Sequence, residues 1–289
     1  VRILILGGDG MLGHQLLLAW RHRHDLRVTL RRDIAAYADY GLFDSENSYG
    51  NVDACHFEEI ERVVKAFDPE AVINAVGIIK QRSESLDAVP SIEINALLPQ
   101  RLSVLCRDRN IRLVHLSTDC VFSGRGGMYT ETDLPDAVDM YGRSKLLGEV
   151  SGASAITLRT SIIGLELARK QSLIEWFLAQ KGTIRGFRKA IYSGFTTMEM
   201  ARIIEGLLLE YKQIFGLWHV ASQPISKYDL LQKLSVHLGR GDIIIEPDDD
   251  FFCDRSLNSD RFRRKTGYVS PTWESMLKEL AEKIQERNQ

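Results

Sequence analysis

The sequence predicts an α/β fold, a doubly wound parallel sheet followed by a smaller C-terminal α/β lobe. Three observations lead there. Short apolar runs alternate with longer stretches of 3.6-residue period through the first two-thirds of the 289 residues. The first of those runs passes directly into a glycine-rich turn and then an amphipathic stretch. After about residue 165 the alternation loosens. Strands alternating with helices imply right-handed crossovers and a sheet covered on both faces.

Taken in order, "RILIL" (2–6), "LRVTL" (26–30), "AVINAV" (71–76), "RLVHLS" (112–117) and "AITLR" (155–159) read as buried strands. Helical patterns lie between them, at 57–67 and 91–109, and the segment 33–50 reads as a long loop. Beyond residue 165, helical patterns at 172–181, 197–212, 227–239 and 272–287 mix with the isolated strands "LWHV" and "DIIIE". This divides the chain into residues 1–164 and 165–289, two lobes expected to interleave.

The composition excludes several classes. A net charge of −2 offers no basic face for nucleic acid or an anionic membrane. No apolar run is long enough to span a bilayer, and "VRILILGGDG" is unlike a secretory leader. Cys55, Cys106, Cys120 and Cys253 lack CxxC spacing, which favours a reducing cytoplasm over disulfides or a metal.

The glycine turn carries the first functional signal. "ILILGGDGMLGHQLLLAW" sets Gly7, Gly10 and Gly13 between a strand and a helix, in GxxGxxG spacing. Glycine permits the bend and the close approach of a pyrophosphate, toward which the N–H groups of Met11 and Leu12 would point. The fold is therefore expected to be of the Rossmann type. After the second strand, "TLRRD" offers Arg31 and Arg32, whose guanidinium groups suit a 2′-phosphate. NADP(H) is the preferred cofactor on this reading, and Asp33 keeps NAD(H) as the alternative. Asp53 and Ala54 of "NVDACHF", with Asn74, Ala75, Val76 and Gly77 of "INAVGI", fall at the carboxyl edge of the sheet, against the adenine and ribose.

The second signal is "STDCVFSG" followed by "YGRSK". Thr118 follows the fourth strand, and Tyr141 and Lys145 are four apart, on one helix face. A phenol titrates near about pH 10, and a neighbouring ammonium favours its phenolate. Tyr141 could then give a proton to a carbonyl oxygen held by Thr118 while a nicotinamide delivers hydride.

"GGDGMLG", "VINAVG", "STDCVFSG", "DMYGRSKLLGE" and "LRTSIIG", in this order, resemble the extended short-chain dehydrogenase/reductases. Within them the chain is most similar to the dTDP-4-dehydrorhamnose reductase family, a likeness continued by "YSGFTTMEMARII" and "DRSLNSDRF". The resemblance implies NAD(P)H-dependent reduction of a 4-keto-6-deoxy nucleotide sugar, in deoxysugar and polysaccharide precursor biosynthesis. It makes Tyr141 the proton donor, binds Lys145 to the nicotinamide ribose, and puts Thr118 and Asp119 on the sugar. Ile162, Gly194, Thr196 and Arg255 fall in segments resembling the substrate lobe, Arg255 as a diphosphate ligand. Ile162 stands where the rhamnose reductases normally carry a tryptophan, so the chemistry carries over better than the sugar's identity. Homodimers are frequent in the extended family, so a homodimer is a further expectation.

Two rival functions share these motifs. An epimerase or dehydratase would need a further acid or base, and Cys120 occupies the position where the dehydratases carry a glutamate. A non-catalytic regulatory subunit would bind dinucleotide without needing Tyr141 and Lys145 together. The remaining polar features have plainer readings. His14 is expected on a helix surface and "HRH" (22–24) at a solvated helix end. "PDDD" (247–250) reads as a mobile acidic loop, and Trp176, Trp218 and Trp273 read as lobe core.

Overall fold

The computed structural model describes residues 1–79 and 87–287 and contains one seven-stranded sheet. Its strands are β1 (Arg2–Leu6), β2 (Asp25–Thr29), β3 (Ser48–Tyr49), β4 (Ala71–Asn74), β5 (Arg112–Leu116), β6 (Ala155–Arg159) and β7 (Gly216–His219). They lie side by side as β7-β6-β5-β4-β1-β2-β3. The pairs β1–β2, β2–β3, β1–β4, β4–β5 and β5–β6 are parallel. From β1 the chain first builds outward through β2 and β3, then crosses back to build β4, β5 and β6. Ligands of such sheets bind beyond the carboxyl ends of the strands at that reversal, here between β1 and β4.

The strands are apolar on both sides because helices cover both faces. Ile3, Leu4 and Ile5 are each fully buried, with no polar alternation. On one face, Leu4, Leu6, Val72, Leu113 and Ala155 meet Ile60, Val63 and Val64 of α2 (Phe57–Phe67). Leu98, Leu102 and Cys106 of the helical stretch α3 (88–108) complete that cluster. Each such Val, Leu or Ile side chain contributes about 1.5–3 kcal/mol on burial. The stretch is α-helical over Ala88–Ile92, π-helical over Glu93–Leu97 and α-helical again over Leu98–Asp108.

Two compact units make up the chain, and each is discontinuous. The first comprises Val1–Ser117, Val138–Leu158 and Ala201–Leu217, and the second Thr118–Ala137, Arg159–Met200 and Trp218–Gln289. Within the second unit, Ile162–Ile163 pairs in parallel with Phe195–Thr196, and Gly182–Phe187 pairs in parallel with Ile243–Asp248. A three-stranded sheet joins Ile225–Ser226, Ala190–Tyr192 and Cys253–Asp254. No helix among the described residues is long and apolar enough to cross a membrane.

Several local expectations are corrected. The segment 33–50 is structured: a 3-10 helix spans Ile34–Tyr40, opened by the Asp33 carboxylate accepting from Ala35 N at 2.9 Å and closed by Gly41. Tyr37 anchors it, buried edge-on against Phe43. Pro247 and Asp248 belong to a strand, and Asp248 is buried with Arg185 at 3.4 Å, so "PDDD" is no mobile loop. His14 is buried, its Nδ1 2.8 Å from the carbonyl of Gly10, because α1 (Met11–Trp20) is covered nearly all round. His24 is also buried, its Nε2 2.9 Å from Glu205. Trp176 lies 40% exposed, since Ile174 and Phe177 take the inward side of its short helix. Trp218 and Trp273 are core.

Candidate functional site

In the first unit the glycine turn joins β1 to α1. Gly7 has φ +85°, a left-handed conformation, and a Cβ on Gly13 would lie 2.1 Å from the carbonyl oxygen of Gly7. Packing alone therefore demands glycine at position 13. Gly10 differs, because its nearest neighbour would be Gly7 O at 3.2 Å and the next Ala75 O at 4.0 Å. Its lack of a side chain keeps the turn open. Gly10 is also the N-cap of α1, with no side-chain cap and no acidic residue in the first turn, so the helix start is suited to an anion.

Arg31 and Arg32 follow β2 and are both exposed. Arg31 Nε donates to Asp53 Oδ2 at 3.2 Å, and the Arg32 guanidinium lies 5.6 Å from the ring centre of Tyr37. Burial raises the Asp53 carboxyl, but the Cys55 N–H and the Arg31 charge outweigh it and hold the group below the usual carboxylate range. Ala54 packs beside the core cluster. Asp33, the residue that would favour NAD, is engaged at both oxygens, by Ala35 N and by Asn51 Nδ2 at 3.1 Å.

Asn74 ends β4, and its Oδ1 accepts from Val76 N at 3.2 Å, which curls the Asn74–Gly77 segment. That segment lies against the glycine turn, since a Cβ on Gly7 would come within 3.1 Å of Val76 Cγ2. Asn95, in the π-helical turn, was not anticipated. It is buried, its Oδ1 accepts from Ile78 N at 3.0 Å, and its Nδ2 donates to Ile78 O at 3.0 Å and Ser144 Oγ at 3.2 Å. It thus ties the loop after β4 to α4 (Met140–Leu147). The available signal was a polar residue on the apolar stripe shared with Leu98, Leu102 and Cys106.

The helix α4 carries Tyr141 and Lys145. The Asp139 side chain opens it, accepting from Gly142 N at 2.8 Å, so Tyr141 sits half-buried in the first turn. Lys145 is buried one turn later, and its Nζ donates to Leu116 O at 2.5 Å, at the carboxyl end of β5. Ser117 Oγ donates to Glu149 Oε1 at 2.7 Å.

In the second unit, Thr118 and Asp119 are adjacent and both buried. Thr118 Oγ1 donates to Asp119 Oδ1 at 3.2 Å and accepts from Cys120 N at 3.1 Å. Arg255 Nε donates to Phe122 O at 2.9 Å, and its charge acts on Asp119. Ile162 is half-buried opposite Phe195 in the short ladder that also holds Thr196. Thr196 is fully buried, its hydroxyl accepting from Glu199 N at 3.4 Å. A Cβ on Gly194 would lie 2.0 Å from Ser161 O, so packing accounts for that glycine.

Residues 1–240 match the family profile described as the RmlD substrate binding domain. The chain belongs to the RmlD substrate-binding-domain family. Among relatives of this RmlD-family chain, the dTDP-4-dehydrorhamnose reductase of Aggregatibacter actinomycetemcomitans is 27% identical over 239 residues, 79% of this chain and 76% of its own. The methionine adenosyltransferase 2 subunit beta of Mus musculus is 24% identical over 152 residues, 51% of this chain and 41% of its own. The structure of dTDP-4-dehydrorhamnose reductase from Bacillus anthracis str. Ames in complex with NADP superposes with a TM-score of 0.78. It is 20% identical, covering 98% of this chain and 99% of that one, and shows a shared fold.

Electrostatics separate the ionisable groups of this RmlD-family chain by role. Burial lowers the Lys145 ammonium to about 8, against a smaller opposing pull from Glu149. Burial also raises the Asp119 carboxyl, opposed by the Arg255 charge and by hydrogen bonds from Cys120, Thr118 and Ser161. The Cys120 thiol is pushed up to about 12, first by burial and then by Asp119, so it stays protonated and behaves as a small hydrophobe. Among the described residues no group of three or more His, Cys, Asp or Glu could hold a metal ion.

Proposed function

We propose that this chain is an NADPH-preferring reductase of a 4-keto-6-deoxy nucleotide sugar, working in the cytoplasm. The observation that carries the reading is the Asp139-capped helix, which presents Tyr141 with the buried Lys145 four residues on, in the same unit as the open glycine turn. The turn fits a dinucleotide because packing constrains Gly10 far less than Gly13 and the start of α1 has no side-chain cap. When bound, that cofactor supplies hydride. Gly7, Gly10, Gly13 and the N–H groups of Met11 and Leu12 would hold its pyrophosphate. Asp53, Ala54 and Asn74 to Gly77 would line the adenine and ribose.

Two exposed guanidinium groups and an Asp33 carboxylate already engaged at both oxygens support a 2′-phosphate over a bare ribose hydroxyl. Lys145 would hold the nicotinamide ribose and lower the Tyr141 phenol, which gives its proton to the sugar's carbonyl oxygen. Thr118 would turn its hydroxyl proton from Asp119 to that oxygen, freeing Asp119 to bind sugar hydroxyls. Arg255 would pair with the diphosphate, and Ile162, Gly194 and Thr196 would shape the sugar's surroundings. An epimerase base at Cys120 is disfavoured, because burial holds the thiol protonated.

The test is NADPH oxidation with dTDP-, UDP-, GDP- and CDP-linked 4-keto-6-deoxy sugars, for wild type and Tyr141→Phe. Turnover of one sugar is expected, with a fall of about a hundred- to ten-thousandfold in the variant. Dinucleotide binding without turnover of any sugar would instead favour the regulatory-subunit reading, and the mouse relative is by name a subunit beta of methionine adenosyltransferase 2.

A further inference from the structure

We propose that His115 is a positioning residue: a neutral imidazole protonated at Nε2 that locks the Asn74 amide and, through it, the Asn74–Gly77 turn. His115 is fully buried in β5, directly across the ladder from Asn74 of β4. Asn74 Oδ1 accepts from Val76 N at 3.2 Å, and a backbone N–H can face only the oxygen of that amide. The amide nitrogen is thereby turned to His115 Nδ1, 3.1 Å away. An amide NH2 only donates, so Nδ1 must accept and the ring proton must sit on Nε2.

Two further observations agree. Burial, and next the Lys145 charge, lower the imidazole well below its ordinary range, so both oppose a second proton that would set donor against donor at Asn74. Nε2 is buried and has no hydrogen-bond partner among the described residues. If the ring merely filled space, an apolar side chain would serve without that unpartnered N–H. What the imidazole adds is the acceptor at Nδ1. Its functional consequence rests on the proposed reading of the Gly7 and Asn74–Gly77 turns as dinucleotide-binding.

The test uses the full chain with His115→Leu, which removes the acceptor, and His115→Gln, which restores one. Long-range proton–nitrogen correlation spectra of wild type between pH 6 and about 8 should show the His115 proton on Nε2, and a proton on Nδ1 would overturn the proposal. Fluorescence titration should give His115→Leu an NADPH Kd raised about tenfold, with His115→Gln recovering most of the loss. Wild-type affinity in His115→Leu overturns it. Should wild type bind no dinucleotide, the cofactor reading fails and hydrogen exchange at Val76 N decides. Exchange about tenfold faster in His115→Leu then upholds the lock, and unchanged exchange overturns it. If His115→Leu does not fold, the wild-type tautomer and the His115→Gln titration decide, with a tenfold loss in His115→Gln counting against the proposal.

Discussion

Lys145 is an ammonium held in a buried place, with Leu116 O as its hydrogen-bond acceptor. Its pKa falls from 10.5 to about 8, so above pH 8 the unfolded chain binds the proton that the folded chain has released. Stability from this group must therefore rise with pH from about 8 to about 10.5, by at most about 1.4 kcal/mol per unit. Denaturant unfolding of wild type and Lys145→Met across pH 7.5 to about 9.5 should show the difference moving in favour of wild type. A flat difference would mean the ammonium is better solvated than its burial implies. Arg31 and Arg32 offer a second residue-scale test. Replacing both with Ala should weaken NADPH by about ten- to a hundredfold and NADH little, measured by titration, since only NADPH carries the 2′-phosphate. The placement of polar residues at the strand ends was legible, because it follows from where each apolar run stops. Arg31, Tyr141 and Lys145 could be put forward as candidates from spacing alone. Asn95 and His115 could not, because each works through a partner brought by another strand or helix.

The glycine turn behaves as a single element in which two glycines fail differently. Gly13→Ala drives a methyl toward Gly7 O at 2.1 Å, so backbone must move, at a cost of about 1–3 kcal/mol. Gly10→Ala brings a methyl 3.2 Å from Gly7 O, a tight contact that a small shift relieves, so it should destabilise less than Gly13→Ala yet lose dinucleotide affinity. Thermal unfolding paired with NADPH titration separates the two, and full affinity in Gly10→Ala would remove Gly10 from the pyrophosphate site. Elements with a strong period were legible in the sequence: α2 falls on 57–67 as its apolar spacing requires. The 3-10 helix at Ile34–Tyr40 was not, because its stability comes from Tyr37 and the Asp33 cap rather than from a repeating pattern. The π turn at Glu93–Leu97 hides for a related reason: one extra residue in a turn leaves the surrounding apolar stripe almost unchanged.

At the scale of the whole molecule, the chain visits each compact unit three times. A fragment ending at residue 164 lacks Ala201–Leu217 of the first unit and most of the second. It should show no cooperative unfolding transition by circular dichroism, and a sharp transition would mean those later residues are dispensable. The same arrangement governs how the protein can be made. During synthesis the N-terminal sheet emerges first, but its unit cannot close until Leu217 has left the ribosome. At about 5–20 residues per second, the hundred-odd residues between Ser117 and Leu217 keep that surface waiting for roughly 5 to 20 seconds. A nascent chain carrying an apolar, half-built sheet for that long is a natural client for ribosome-bound chaperones. Slowing translation between residues 117 and 217 should therefore increase aggregation of the newborn protein, and unchanged aggregation would mean the half-built sheet is not the exposed surface.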